Sequence, residues 1–267
     1  MPQKNTLIIL LFSCLTLQTA WAENIDYSTW NRLLKTHVSS VNGGKSTTVD
    51  YQGMAEERSR LKQYLSTLSN VSQDQFDTWP KDEQLAFLIN AYNAWTIELI
   101  LTAWPNLKSI KDLGGLFSSP WRKEFIPLLG KTRSLDDIEH GLIRSSGRYN
   151  DPRIHFAVNC ASVGCPALRP EAYVGNRLDD QLEQQTQLFL SDSSRNRVEN
   201  SVIKLSSIFK WYREDFEQGW LDYHRLEDFL IAHAAALNLS TAMKARLKTD
   251  DVAIEFLDYD WQLNEKR

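Results

Sequence analysis

Residues 82–103 read Asp-Glu-Gln-Leu-Ala-Phe-Leu-Ile-Asn-Ala-Tyr-Asn-Ala-Trp-Thr-Ile-Glu-Leu-Ile-Leu-Thr-Ala, with apolar side chains on most of the surface that a helix would present. Such a helix cannot lie on a protein's outside, because it has no polar face to give to water; other elements must wrap it. The spacing predicts one long central helix from Asp82 to Ala103, ended by Trp104-Pro105. Asn90, Tyr92 and Asn93 travel inside it. Buried amides need hydrogen-bond partners, so Asn90 and Asn93, one turn apart, are read first as ties to a neighbouring loop and second as site residues.

Shorter elements flank this helix. Trp30, Leu33, Leu34 and His37 fall at helical spacing within Tyr27–Val38, and Met54–Leu68 is a second amphipathic stretch. Two hairpins are expected: Phe125–Leu129 with Thr132–Leu135 around Gly130-Lys131, and Val198 with Val202–Leu205 around Glu199-Asn200-Ser201. Ser134 caps a helix running to Arg144, with Asp137 at its third position. Ile154–Asn159 reads as a strand, Leu178–Leu190 as a helix, Ser206–Phe216 and Tyr223–Ala235 as two more, and Val252–Trp261 as a last strand. Helices outnumber strands and the strands pair locally. The expected fold is therefore α+β, a single mostly helical domain over residues 23–267 with a small antiparallel sheet.

Residues 1–22 stand apart. Lys4 precedes an apolar run from Leu7 to Leu17, and Ala20-Trp21-Ala22 forms a small-x-small cleavage site, the layout of a signal peptide. The run is too short for a stop-transfer helix, and no later segment is long and apolar enough to span a membrane in the mature chain. Leu11-Phe12-Ser13-Cys14 partly matches a lipoprotein box, but Phe12 fits it poorly and the Ala20–Ala22 site suits ordinary cleavage better. The chain is expected to be exported, periplasmic or secreted. The leader holds one Lys and no acid, so the remainder has a net charge of −5 against −4 for the whole. Its basic residues are interspersed with acids, which gives no case for nucleic acid as a partner.

Loss of the leader removes Cys14 and leaves two cysteines, both in Arg153-Ile-His-Phe-Ala-Val-Asn-Cys-Ala-Ser-Val-Gly-Cys-Pro166. Three chemistries suit this segment. In the first, a turn at Val163-Gly164 brings Cys160 and Cys165 together as a disulfide, which an oxidising compartment favours. In the second, the strand delivers Cys160 to an exposed rim as a nucleophile, with the small Ala161 and Ser162 leaving room for substrate and for backbone donors to an oxyanion. On a strand, His155 and Asn159 share a face about 13 Å apart, which keeps His155 from Cys160. His140, on a separate helix, is the better base; its neighbour Glu139 points elsewhere on that helix. In the third, His155, Cys160 and Cys165 hold zinc, but C-x4-C is loose for such a site and no further Cys pair exists, so no metal or other cofactor is expected. Gly43-Gly44-Lys45-Ser46-Thr47 fails as a phosphate loop because Ser39 occupies the leading glycine position.

Five segments together resemble a known family: Thr48-Val-Asp-Tyr51, Phe87-Leu-Ile-Asn-Ala-Tyr-Asn-Ala94, Ser134-Leu-Asp-Asp-Ile-Glu-His-Gly141, Asp151 through Pro166, and Tyr259-Asp-Trp-Gln-Leu-Asn264. The chain is similar along most of its mature length to domain-of-unknown-function family 547. The resemblance implies an exported bacterial envelope protein and assigns no activity. It implies further that Asn90, Glu139, His140, His155, Asn159, Cys160 and Cys165 converge. The expected function is a thiol-dependent hydrolase or acyltransferase of papain-like arrangement, acting on an amide or ester in the envelope, with a peptide or cell-wall substrate. Cys160 attacks the carbonyl, His140 moves the proton, and Asn159 or Asn90 orients the imidazole or donates to the oxyanion. The alternatives are a non-catalytic binding or scaffold domain stapled by Cys160–Cys165, or a thiol–disulfide redox partner using the same pair.

Overall fold

The computed structural model describes residues 25–115 and 118–266; the leader, its cleavage site and Cys14 lie outside the described residues. The chain opens with α1 (Ser28–His37) and a hairpin of β1 (Val38–Val41) and β2 (Ser46–Val49). Three helices follow: α2 (Tyr51–Glu56), α3 (Arg58–Ser69) and α4 (Gln73–Asp77). The single helix expected from Met54 to Leu68 is thus interrupted at Glu57, after Asp50 caps α2 by accepting from the Gly53 N–H at 2.9 Å.

The long central helix is α5 (Lys81–Leu101), with Asp82 and Glu83 in its first turn and every residue from Gln84 to Leu101 buried. α3 packs against it and α1 against α3, with the Trp30 and Tyr64 rings stacked at 5.6 Å. A second hairpin joins β3 (Ile126–Leu128) to β4 (Lys131–Arg133). The rest comprises α6 (Leu178–Leu190), β5 (Arg197–Glu199), β6 (Val202–Ser206), α7 (Ile208–Trp211), α8 (Arg213–Glu217), α9 (Leu226–Ala232), α10 (Thr241–Lys248) and β7 (Ile254–Leu257). The fold is α+β, with small antiparallel pairings among many helices. β7 departs from local pairing: it is shorter than expected and runs parallel to β6 in a three-stranded sheet.

Two departures position the site. Residues 135–144 are helical as expected, with Ser134 and Asp137 capping each other reciprocally at 2.8 and 3.0 Å. From Asp137 to Arg144, however, the turn widens to a π-helix, and the Ser145 N–H reaches back five residues to the His140 carbonyl at 2.8 Å. A wider turn rotates less per residue, so Glu139 and His140 face one side together.

The strand expected at Ile154–Asn159 does not form. Pro152–Phe156 is instead a tight 3-10 turn, capped by Asp151, whose carboxylate accepts from the Arg153 N–H at 2.9 Å. The apolar pattern there has a different cause. Ile154, Ala157, Val158 and Ala161 join the core around α1, α3 and α5, while Phe156 joins a second core with Phe189, Phe209, Phe216 and Phe229. The segment is the seam between the two cores. Among the described residues, no helix is long and apolar enough to cross a membrane.

Candidate active site

At this seam lies a cleft of about 180 Å³. Its walls come from α5 (Tyr92), the π-helix (Glu139, His140) and Asp136 just before it, the segment from His155 to Pro166, and the junction of α7 and α8 (Trp211, Tyr212). Tyr259 and Trp261, beyond β7, close it.

Cys160 and Cys165 are joined in a disulfide. Cys165 is buried at 3% exposure; Cys160 is half-buried, and both line the cleft. The turn that makes the bridge is held from both sides. Ala161 sits in the left-handed region at φ 61°, a costly place for a residue with a Cβ, fixed by an Asn159 Oδ1 bond to its N–H at 2.9 Å and by the Asn264 N–H on its carbonyl at 3.1 Å. The Val163 and Gly164 N–H groups donate to Gln262 and Asp260 carbonyls, each at 2.8 Å. Gly164 lets the Tyr259 ring lie directly on the turn, since a Cβ there would come within 2.9 Å of that ring.

Hydrogen-bond donors surround the bridge. The Cys160 N–H donates to Cys165 Sγ at 2.9 Å. The Tyr259 hydroxyl lies 3.2 Å from each sulfur, and Ser162 Oγ lies 3.2 Å from Cys160 Sγ and 3.5 Å from Cys165 Sγ. A bridged sulfur has no proton, so the hydroxyls are the donors, with one proton each to share. Burial raises the Tyr259 phenol above its ordinary value and keeps that proton in place.

The imidazoles belong to a second network. Arg144 grips Asp215 with two bonds, Nε to Oδ2 at 2.5 Å and Nη2 to Oδ1 at 2.9 Å. Its Nη1 donates to His140 Nδ1 at 2.7 Å. Because guanidinium only donates, neutral His140 carries its proton on Nε2. Asp215 Oδ2 also accepts from His155 Nε2 at 2.6 Å. His155 is 2% exposed and stacks on Tyr212 with centroids 3.9 Å apart. Burial pushes its imidazole below the ordinary value, outweighing the pull of Asp215, so the ring is neutral and its Nδ1 is an acceptor without a donor. Burial works to raise the Asp215 carboxyl, yet the hydrogen bonds from His155 and Arg144 win and hold it well below the usual carboxylate range. Burial and the facing Glu139 carboxylate keep the Tyr92 and Tyr212 phenols protonated.

The structure brings together Cys160, Cys165, His140, His155 and Glu139 in one cleft. The strand argument that separated His155 from Cys160 fails because the strand is absent, and Glu139 does not point away. Asn90 and Asn159 lie outside the lining. Asn90 bonds both ways to the Tyr173 backbone, at 2.7 and 3.0 Å. Asn159 bonds to Pro166 O and the Ala161 N–H, at 2.8 and 2.9 Å. With both sulfurs bridged, the thiolates a zinc ion would need are not offered; no three His, Cys, Asp or Glu side chains cluster as ligands among the described residues. Sequence reasoning missed Asp215, Arg144, Tyr212, Tyr259 and the hydroxyl of Ser162. Tyr259 alone carried a signal, through the Tyr259–Asn264 motif; Asp215 sits in an ordinary Arg-Glu-Asp run.

No curated protein and no solved structure matches the chain. The family model described as protein of unknown function, DUF547, matches residues 76–190. That span takes in α5, the π-helix and the Cys160–Cys165 turn, and leaves out Thr48–Tyr51 and Tyr259–Asn264, two of the segments that carried the resemblance. Residues 76–190, which hold both cysteines and both cleft imidazoles, carry the match to this family.

Proposed function

We propose that Cys160–Cys165 is a thiol–disulfide exchange centre acting on polypeptide thiols in the compartment to which residues 1–22 direct the chain. The observation that carries this reading is the asymmetry of the bridge: Cys160 is half-buried at the cleft, while Cys165 is buried and alone receives the Cys160 N–H, with the Tyr259 and Ser162 hydroxyls shared between the two sulfurs. Exchange rate depends on how well the leaving sulfur holds negative charge, and donors aimed at that sulfur lower its basicity. A substrate thiolate attacks Cys160 Sγ; a substrate–Cys160 bond forms, the Cys160–Cys165 bond breaks, and Cys165 leaves with the electron pair. A second substrate thiolate then attacks the substrate sulfur of the mixed disulfide and releases Cys160. Two electrons and two protons pass to the protein, and the substrate pair is oxidised; the reverse sequence restores the bridge.

Acyl transfer ranks below this. It has in its favour that Cys160 and His140 share the cleft. It requires the bridge to be opened first, and it requires a base, whereas His140 has Arg144 on Nδ1 and its proton on Nε2.

Single-cysteine variants test the exchange reading. Incubated with a peptide disulfide near pH 8, Cys165→Ser is expected to form a mixed disulfide on Cys160, seen by mass spectrometry, about tenfold or more faster than Cys160→Ser forms one on Cys165. Folded variants that both stay unmodified would remove the proposal. Acylation of the reduced protein by an activated ester, abolished by His140→Gln, would promote acyl transfer in its place.

A further inference from the structure

Acceptors and aromatic faces dominate the cleft beside the bridge. The Glu139 side chain forms part of its wall at 4% exposure, and among the described residues it makes no ion pair with Lys, Arg or His. A carboxylate so buried is costly without a counter-charge. Among the described residues, Arg144 is committed to Asp215, and Arg122, whose side chain is 81% exposed, to Asp136. Among the described residues, no Lys or Arg lines the cleft. The Tyr92 and Tyr212 hydroxyls face the carboxylate and give it neutral donors but no counter-charge. The buried Nδ1 of His155, in the same wall, is an acceptor without a donor.

Much of the remaining wall is aromatic, with Trp121, Trp211, Tyr212, Tyr259 and Trp261, and the faces of such rings attract positive charge. Two already carry a cation on one face. Lys111 Nζ lies 3.7 Å from the Trp261 ring centre, and Arg144 Cζ lies 4.9 Å from that of Tyr212. Trp211 is 47% exposed at the rim, unusual for so large an apolar side chain.

We propose that the cleft binds an organic cation, an alkylammonium or guanidinium group seated against the rim rings Trp211 and Trp261 with Glu139 as its counter-charge. A space of about 180 Å³ suits one headgroup or the end of one side chain rather than a folded segment. A free quaternary ammonium and the side chain of a Lys or Arg in a peptide share this chemistry. The binding is independent of whether the bridge exchanges, because it uses neither sulfur.

The test titrates the intact, disulfide-bonded protein with choline, with N-acetyl-lysine amide, with N-acetyl-arginine amide, and with 3,3-dimethylbutanol, the uncharged isostere of choline. Tryptophan fluorescence and calorimetry give the readout. At least one cation is expected to saturate, about tenfold or more tighter than the isostere. Glu139→Gln is expected to weaken it about tenfold and Trp211→Leu about fivefold. Preference for choline identifies a quaternary headgroup; preference for an amino-acid amide identifies a peptide side chain. The rim position of Trp211 lets Trp211→Leu carry the test if circular dichroism shows Glu139→Gln unfolded. Equal binding of the isostere, absence of saturation by every cation, or unchanged affinity in both variants would overturn the proposal.

Discussion

Tyr259 is the residue on which the chemistry turns, because its hydroxyl stands 3.2 Å from both sulfurs and stays protonated. Hydrogen bonds to a charged group are worth about 1.5–3 kcal/mol. Removing this one with Tyr259→Phe is expected to slow release of Cys165 about tenfold while the fold survives; stopped-flow exchange with a small thiol checks it, and an unchanged rate would leave the phenol a packing group. His155 gives a second prediction at this scale. Its folded imidazole is depressed below the ordinary 6.5, so the unfolded chain takes up a proton that the folded one resists. Its contribution to stability is therefore complete above about pH 6.5 and is lost as pH falls toward the folded value. The depressed Asp215 carboxyl adds a separate loss, beginning below its ordinary 3.8. Calorimetry is expected to show a Tm that declines from about pH 6.5 to 5, with a flatter profile in that window for His155→Gln and the same fall below about pH 4. Equal slopes for the two proteins between about pH 6.5 and 5 would contradict the buried neutral imidazole.

At the scale of elements, α5 acts on the site through its amides. Asn93 donates to Ala157 O at 2.9 Å and accepts from the Asn159 N–H at 2.8 Å, so the segment leading to Cys160 is fastened to the central helix by one side chain. Asn93→Ala leaves two buried backbone groups unpartnered, at about 1–3 kcal/mol each. Urea denaturation is expected to show a loss of about 2–4 kcal/mol, and a loss below about 0.5 kcal/mol would mean that the segment holds its shape without α5. Gly164→Ala drives a Cβ into the Tyr259 ring and is expected to slow exchange as Tyr259→Phe does, by displacement rather than deletion. The helices were legible in the sequence for good reason. α5 has no polar face, and Ser134 with Asp137 announces a helix start. The 3-10 turn at Pro152–Phe156 was not, because alternating apolar residues that serve two separate cores look the same as one face of a strand. The π-widening at Asp137–Arg144 also lacked a local signature, and it is what turns Glu139 toward the cleft.

For the whole molecule, the site exists where two cores meet. Phe156 belongs to one and Ile154, Ala157 and Val158 to the other, and the Cys160–Cys165 turn follows directly. Asp215, Tyr212 and Tyr259 come from the second half of the chain and reach the cysteines only through that docking. Their distance in sequence is why His140 and His155 were recognised as candidates while the carboxylate that orients one and the arginine that contacts the other were not. The α+β class and the disulfide alternative were visible from helix content and cysteine spacing. The choice between reactive and inert sulfur was not, since it depends on burial and donors that only the folded chain supplies. The most direct measurement is a redox titration of the intact protein in graded glutathione buffers, followed by alkylation and mass spectrometry of Cys160 and Cys165. A midpoint between about −120 and −270 mV, reached without loss of structure, is the expected result. A bridge that stays closed in buffers more reducing than about −300 mV would contradict exchange and leave Cys160–Cys165 a structural crosslink.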